Sequence, residues 1–242
     1  MKNLTVVLLF CTTIISAQEK STIPLLGEEA PSFQSKSTNG PINFPNDFGT
    51  SWKVLLGHPR DFTPVCSSEI IELAHMQDEF KKLNTRIAVL STEEVERHYD
   101  WKAALEELML LKNEPEIIEF PLVEDKDYSI SRSYGMIHDE ISTTRDVRGV
   151  YIIDPDNIIR SVQFYPMEVG RNYDELKRSI IALQTIAKHN DVLTPANWQP
   201  GKDVLVKSIT GDEVEQYENA EEVGITRDVW FMTYKEYKYI EK

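Results

Sequence analysis

The chain has 242 residues, of which 41% are hydrophobic and 10% aromatic, enough for one full core and a smaller appended unit. Lys and Arg total 26 against 40 Asp and Glu, which gives a formal net charge of −14. The chain lacks the clusters of basic residues that are typical of nucleic-acid-binding proteins. We therefore expect no nucleic-acid partner, and any pocket that stabilises an anion must be built locally from single Arg side chains or a helix N-terminus.

The N-terminus has the pattern of a signal peptide over residues 1–17. Lys2 precedes an apolar run at 4–15, which small residues end at Ala17. This run is too short to span a bilayer, so we expect cleavage near Ala17, export to the periplasm or the outside of the cell, and no stable membrane insertion. An N-terminal anchor or a buried helix is the alternative interpretation.

Cleavage at that point changes the cysteine count. The two cysteines are Cys11 and Cys66, and removal of the leader leaves Cys66 as the only thiol. The mature chain then has no internal disulfide. A single cysteine in an exported protein is reactive, paired with another chain, or buried.

Apolar periodicity predicts alternating strands and helices in the first half of the chain. We expect a strand at 52–57 followed by a helix at 67–83, then a strand at 86–91. Thr92, Glu93 and Glu94 have the composition of a helix cap and acidic first turn, for a helix that runs to about Lys112. Strands that alternate with helices in this way indicate parallel pairing.

The second half predicts antiparallel pairing and one more long helix. Two apolar runs at 149–154 and 158–164 flank turn residues and indicate a hairpin, so the sheet is expected to be mixed. Asn172 is a suitable cap for a helix that ends near His189. Its expected inner face consists of Leu176, Ile180, Leu183 and either Ile186 or Ala187.

The domain boundary is predicted near His189. Residues 18–189 form the main domain, and residues 190–242 form a C-terminal extension that begins with helix-breaking residues and continues with short β-like runs such as 228–232. The extension has too few apolar residues to fold alone. We expect it to pack on the main domain or on a second subunit.

Cys66 lies in a segment that can activate a thiol. Pro59 and Pro64 disfavour helix before it, and helical periodicity starts directly after it, so the sulfur is expected in the first turn of a helix. Free N–H groups there favour a thiolate. Thr63, three residues earlier, places a hydroxyl in the same loop. The alternative is that Cys66 is a small buried hydrophobic residue.

Residues 58–69 resemble the peroxidatic loop of peroxiredoxins, whose core is Pro-x-x-x-Thr-x-x-Cys. Tyr165-Pro166, the segment 170–175 and the tail from Thr194 resemble the 1-Cys subgroup of that family. The resemblance implies an α/β thioredoxin-like fold, in which a mixed central sheet is flanked by helices and followed by a small C-terminal α+β extension. It also implies a homodimer that needs no cofactor and no metal.

The resemblance further implies roles for four residues. Cys66 is the attacking thiolate, Thr63 hydrogen-bonds the peroxide, and Pro59 shields the pocket. Arg148 resembles the family's arginine that stabilises the thiolate and the charge on the leaving oxygen. Donors fixed where that charge develops would lower the barrier.

Three supporting residues have alternative roles. His58 either donates towards the sulfur or orients the loop. Glu69, expected in the first turn of the helix, is interpreted as a capping or loop-holding carboxylate rather than a base. Arg171 is either catalytic or merely bridges Asp174 or a subunit contact.

The function that follows is thiol-dependent reduction of hydrogen peroxide and organic hydroperoxides, in antioxidant defence. Cys66 would become a sulfenic acid and would need an external thiol or other small reductant. A disulfide oxidoreductase would need Cys-x-x-Cys, which the chain lacks after Cys66. A secreted redox sensor or holdase-type interaction protein that uses the same thiol is the alternative. The segment 49–53 has Lys53 where a lipase-like Gly-x-Ser-x-Gly motif needs glycine, so no phospholipase activity is expected.

Overall fold

A computed structural model describes residues 23–207, 225–229 and 231–237 of the chain. The predicted signal peptide at 1–17 and Cys11 lie outside these residues. Across the described ranges, no helix is long and apolar enough to cross a membrane.

The described chain alternates strands with four α-helices and one short 3-10 helix, in an order close to that predicted. The strands are β1 Phe33–Ser37, β2 Gly40–Phe44, β3 Trp52–Gly57, β4 Thr85–Ser91, β5 Leu122–Glu124, β6 Arg148–Ile153, β7 Ile159–Tyr165, β8 Val192–Leu193, β9 Val204–Val206, β10 Ile225–Val229 and β11 Met232–Lys235. The helices are α1 Pro64–Lys82, α2 Val95–Leu111, α3 Ser129–Ser133, α4 Tyr173–Lys188 and the 3-10 turn Asn46–Phe48.

The central sheet has seven strands in the order β2-β1-β5-β4-β3-β6-β7. β3 is parallel to β4, as the strand–helix alternation predicts, and β4 is also parallel to β5, a strand that was not predicted. β6 runs antiparallel to β3 and to β7. The mixed sheet and the predicted hairpin are therefore both confirmed.

Each central strand contributes to two apolar clusters, because successive side chains point to opposite faces. In β3, Val54 and Leu56 join the cluster that contains the buried residues of α1, α2 and α4. Leu55, between them, joins the other cluster, with the β1–β2 hairpin and α3. Cys66 belongs to the first cluster, so the site lies at the edge of a well-packed core.

The helix caps agree with the sequence for α4 but not for α2. The Asn172 side chain accepts a hydrogen bond from the Glu175 N–H, as predicted. The cap and acidic first turn expected at 92–94 are only partly correct: Glu94 occupies the N-cap position of α2 but makes no side-chain cap bond, and the Val95 N–H donates instead to Glu124 Oε2, at 2.9 Å, from β5. A cap supplied by a residue distant in sequence leaves no local pattern. Ile186 and Ala187, the two alternatives for the last position on the inner face of α4, are both exposed, so that part of the prediction is also wrong.

Two further parts of the fold were less visible in the sequence. The hairpin of β1 and β2 was not predicted, although its turn contains Asn39-Gly40. The described part of the C-terminal extension forms a four-stranded sheet in the order β10-β11-β9-β8. Its buried Val192, Trp198 and Val204 join the cluster that contains Cys66, so the extension packs on the main domain.

Lys53, at the position that departs from the lipase-like pattern, is fully buried in β3. Its Nζ donates to the carbonyl oxygens of Asp154 and Pro155 at 3.0 and 3.2 Å. Burial lowers the pKa of Lys53, and the nearby carboxylates of Asp154 and Asp156 oppose that effect only in part. This lysine therefore ties β3 to the β6–β7 turn.

Candidate active site

The N-terminus of α1 positions Cys66. The helix begins at Pro64, a residue whose missing N–H costs nothing at that place, and Cys66 follows in the first turn with its side chain fully buried. Thr63 stands before the helix in an extended conformation and makes no side-chain cap. Its Oγ1 donates instead to the Arg60 carbonyl, 2.9 Å away. The helix N-terminus is thus left open to stabilise an anion at the sulfur.

Two arginines and one glutamate form a buried group on one side of Cys66, which we call the arginine cluster: Arg148, Arg171 and Glu69. Arg148 Nη1 lies 3.3 Å from Cys66 Sγ and 2.7 Å from Glu69 Oε2. Arg171 donates from Nε and Nη2 to the two oxygens of Glu69, at 2.9 and 2.7 Å. The Arg171 backbone N–H adds a third bond to Glu69. All three side chains are at most 3% exposed.

Backbone carbonyls complete the arginine cluster. Arg148 Nε donates to the Met167 carbonyl at 3.0 Å, and its Nη2 donates to the same oxygen. Arg171 Nη1 donates to the carbonyls of Gly57 and Gly149, at 2.9 and 3.0 Å. Arg148 is therefore held in place before any peroxide binds, which is the condition for efficient electrostatic stabilisation.

The arginine cluster carries a net positive charge when Cys66 is protonated. Burial alone would raise the pKa of Glu69, but Arg171 and then Arg148 outweigh burial and lower it. One carboxylate therefore neutralises one of the two guanidinium groups. The remaining positive charge is matched when Cys66 is ionised.

Two sequence-based interpretations are corrected here. Glu69 is the sixth residue of α1, beyond the first turn, so it is not a cap; it holds two arginines and also accepts the Arg171 backbone N–H, which agrees with the loop-holding alternative. Arg171 forms its ion pair with Glu69, and its side chain is buried within the chain. The expected ion pair with Asp174 is therefore not the one that Arg171 makes. Both contacts join residues about 80 to 100 positions apart, and a sequence pattern does not encode such pairs.

His58 approaches Cys66 from another side. Its ring is 1% exposed and stacks on Trp101, with the ring centroids 5.1 Å apart. Within the described part of the chain, neither ring nitrogen makes a hydrogen bond of standard geometry. Burial would lower the pKa of His58, but the contact with the Cys66 thiolate and the charge of Asp61 raise it.

Cys66 is acidic for a thiol. Burial would raise the pKa of Cys66, but the His58 ring and the Thr63 hydroxyl outweigh burial and lower it to about 6. The single hydroxyl proton of Thr63 can serve either the Arg60 carbonyl or the sulfur, and its lone pairs can accept from a peroxide O–H. At neutral pH most of Cys66 is therefore thiolate, the nucleophilic form.

The remaining named residue, Pro59, is buried in the loop between β3 and α1. The seven residues singled out from the sequence thus come from this loop, α1, the start of β6 and the residue before the α4 cap. Sequence reasoning assigned no role to Asp61, His98 or the Met167 carbonyl. Asp61 lies inside the recognised motif, but a histidine within a predicted helix and a backbone carbonyl carry no distinctive signal.

No group of three or more His, Cys, Asp or Glu side chains is arranged to hold a metal ion within residues 23–207, 225–229 and 231–237. The chemistry that this arrangement supports is nucleophilic attack by an ionised thiol.

Comparison with known proteins assigns the family. A model of the AhpC/TSA family matches residues 26–162, and a model of the C-terminal domain of 1-Cys peroxiredoxin matches residues 182–220. The peroxiredoxin of Methanosarcina mazei is 42% identical over 215 residues, which cover 88% of this chain and 98% of that protein. The chain belongs to the peroxiredoxin family. It is therefore a peroxidase with an antioxidant role.

Other peroxiredoxins support the 1-Cys type and the fold. The mitochondrial peroxiredoxin PRX1 of Saccharomyces cerevisiae is 39% identical over 197 residues, which cover 78% of this chain and 74% of that protein. A structure of the yeast mitochondrial 1-Cys peroxiredoxin aligns with a TM-score of 0.76 and 33% identity, covering 89% of this chain and all of that one. A structure of a mutant peroxiredoxin 6 of Arenicola marina has a TM-score of 0.75 and 31% identity, covering 88% and 98%. The predicted thioredoxin-like fold is confirmed.

Proposed function

We propose that this peroxiredoxin reduces hydrogen peroxide and organic hydroperoxides through a Cys66 thiolate that becomes a sulfenic acid. The observation that carries the proposal is the position of Arg148 Nη1, 3.3 Å from Cys66 Sγ and fixed by the arginine cluster. A thiol whose pKa lies at about 6 is ionised at neutral pH and faces a permanent cation.

The step is a displacement at oxygen. Cys66 Sγ attacks the terminal peroxide oxygen, an S–O bond forms, and the O–O bond breaks with its electron pair on the leaving oxygen. Sulfur is oxidised, and the peroxide is reduced to an alcohol or to water. Arg148 stabilises the charge that develops, and Thr63 accepts a hydrogen bond from the bound peroxide. Pro59 shields the sulfur from bulk water.

Recycling requires a reductant from outside the chain. Once residues 1–17 are cleaved, Cys66 has no partner thiol in the same chain. In the yeast mitochondrial 1-Cys peroxiredoxin, the thiol is resolved by way of the glutathione and thioredoxin systems. We propose that an external thiol or other small reductant reduces the Cys66 sulfenic acid here as well.

We also propose that the protein is exported and works as a homodimer. The leader at 1–17 supports export to the periplasm or the outside of the cell. Strand β7 forms one edge of the seven-stranded sheet, and most of its side chains are half-buried. An edge of this kind is suited to pairing with a second copy.

The decisive experiment compares the unaltered protein with Cys66→Ser in stopped-flow reduction of hydrogen peroxide, with mass spectrometry of the product. We expect one added oxygen on Cys66 and complete loss of peroxide reduction in the variant. Retained turnover by Cys66→Ser would refute the mechanism. Absence of turnover in the unaltered protein, with Cys66 oxidised once and not recycled by any added thiol, would favour the redox-sensor alternative.

A further inference from the structure

His58 belongs to a second buried polar group, to which the proposed reaction assigns no role so far. We call it the histidine cluster: His58, Asp61 and His98. Asp61 is 1% exposed and His98 is fully buried. His98 Nδ1 lies 2.7 Å from Asp61 Oδ2, and His58 Nε2 lies 3.5 Å from Asp61 Oδ1. Asp61 therefore connects a histidine in the core with the histidine that faces the sulfur.

The hydrogen bonds of His98 fix how many protons this pair holds. His98 Nε2 lies 3.2 Å from the Val123 carbonyl, and because a carbonyl only accepts, Nε2 carries a proton. The short contact between His98 Nδ1 and Asp61 then requires one more proton, either on the ring or on the carboxyl group. The pair thus shares one buried proton in either arrangement.

The turn that carries Asp61 is held in an unfavourable conformation. Phe62, the next residue, has φ +56°, in the left-handed region that aromatic residues seldom adopt. Phe62 is 48% exposed, so its burial does not explain the turn. The turn instead places the Asp61 carboxyl in the core between two histidines. Backbone strain of this kind persists where the surrounding structure imposes it.

We propose that Asp61 and His98 are positioning residues for peroxide reduction: moving their shared proton to His98 lets the Asp61 carboxylate face a protonated His58, which donates its proton to the leaving oxygen. This inference rests on the proposed attack by Cys66. The contact of 3.5 Å is long for a hydrogen bond, and catalytic contacts of this kind commonly shorten when substrate binds.

The protons and electrons balance without another reactant. The Cys66 thiol gives its proton to His58, which forms the thiolate and imidazolium pair. Attack on the peroxide then forms the S–O bond, breaks the O–O bond and leaves an alkoxide or hydroxide. His58 returns the proton to that oxygen, so Cys66–SH and ROOH yield Cys66–SOH and ROH. The shared proton moves back to Asp61 when His58 becomes neutral.

Groups from several elements face His58 and contribute to its protonation. Asp61 favours the imidazolium and Arg171 opposes it, while buried Asp146 couples electrostatically to the same ring. Trp101 covers one face of the ring without carrying charge. The pH dependence of His58 protonation is therefore set by the groups around its ring, which are Cys66, Asp61, Arg171, Asp146 and His98.

Two peroxides with different leaving groups test this role. Hydrogen peroxide expels hydroxide, a strong base that needs a proton, whereas peracetic acid expels acetate, which does not. The full-length chain, Asp61→Asn and His98→Asn are compared at one pH in stopped-flow experiments with both oxidants. Because the same thiolate attacks both, the ratio of the two rate constants does not depend on the ionised fraction of Cys66. His75→Asn, at an exposed position of α1, is the matched control.

We expect the hydrogen peroxide rate relative to the peracetic acid rate to fall by about 10- to 100-fold in both cluster variants, and to stay unchanged in His75→Asn. If both rates fall together, the two residues are only structural and the inference fails. The unaltered protein still reduces peroxide in that case, so failure of the inference is distinguished from failure of the proposed function.

A measurement on the unaltered protein covers the case in which the variants do not fold. Nitrogen NMR of ¹⁵N-histidine reports whether each ring nitrogen carries a proton. We expect His98 Nε2 to remain protonated, and the His98 Nδ1 signal to move when Cys66 is alkylated, since alkylation removes the thiolate that holds His58 in its charged form. A His98 Nδ1 signal that ignores alkylation overturns the inference.

Discussion

The arginine cluster and the histidine cluster approach the same sulfur with opposite designs. In the arginine cluster, Glu69 receives hydrogen bonds from both guanidinium groups, and backbone carbonyls accept most of the remaining donors. In the histidine cluster, both ring nitrogens of His58 and one oxygen of Asp61 make no hydrogen bond of standard geometry within the described residues.

This difference separates two tasks of peroxide reduction. A charge that only has to stabilise an anion benefits from a fixed position, because no reorganisation is needed as the O–O bond breaks. A group that carries a proton must accept it and release it, so its partners cannot all be fixed in one state. The fully bonded cluster suits the first task, and the incompletely bonded one suits the second.

The largest effect is expected from Glu69→Gln, which leaves two buried guanidinium groups without their shared carboxylate. We expect the free energy of unfolding to fall by about 3–5 kcal/mol, measured by urea denaturation. The pKa of Cys66 is not expected to rise, since two cations would remain near the sulfur. Glu72→Gln, at an exposed position of the same helix, is the control and should be near neutral. A comparable loss of unfolding free energy in Glu72→Gln would contradict the special role given to Glu69.

The next effect is expected from Arg148→Met, which removes the cation at the sulfur. Peroxide reduction should slow by about 10²- to 10³-fold, as when one donor to a developing oxyanion is removed. The pKa of Cys66 should also rise, which the pH dependence of iodoacetamide alkylation measures. Arg148→Lys keeps the charge but not the paired geometry, and we expect an intermediate rate. An unchanged thiolate titration in Arg148→Met contradicts the role given to this arginine.

His58→Gln probes the histidine cluster through the pH profile. In the unaltered protein, alkylation of Cys66 should increase as pH rises through about 6 and level off above it, because the thiol loses its proton there. Without His58, the midpoint should move upward by about 1 pKa unit, since the largest contribution that opposes burial is lost. A midpoint that stays at about 6 would show that the arginine cluster alone ionises Cys66.

The last prediction concerns Asp146, which faces the histidine cluster. It is fully buried, and within the described chain neither of its oxygens makes a hydrogen bond of standard geometry. Burial raises the pKa of Asp146 to about 8. The unfolded chain ionises this carboxyl near pH 4, so the cost to stability is absent below that pH, grows through neutral pH and is complete above about pH 8.

Asp146→Asn should remove this dependence, so the gain in free energy of unfolding over the unaltered protein should be larger at pH 8 than at pH 5, by up to about 4 kcal/mol. Urea denaturation at the two pH values measures the change, with exposed Asp100→Asn as the control. Equal pH slopes in Asp146→Asn and the unaltered protein would mean that Asp146 is ionised and stabilised by partners such as His58.

The sequence was sufficient for the elements that depend on local patterns. Strand β3 and helix α1 follow from apolar periodicity, although α1 begins at Pro64, three residues before the predicted start, and Cys66 lies in its first turn as expected. The cap of α4 follows from Asn172. The cap of α2 did not follow, because Glu124 reaches Val95 from another strand. The hairpin β1–β2 was missed because its strands carry few consecutive apolar residues.

What the sequence by itself determined is the local setting of the thiol: Cys66, the hydroxyl of Thr63 and the helix that starts between them lie within four positions, so local geometry is enough to bring them together. What only the tertiary structure decided is the charge and proton environment of that thiol. Glu69 meets Arg148 and Arg171, and Asp61 meets His98, across 37 to 102 positions. Such contacts depend on how strands and helices pack, which periodicity along the chain does not specify.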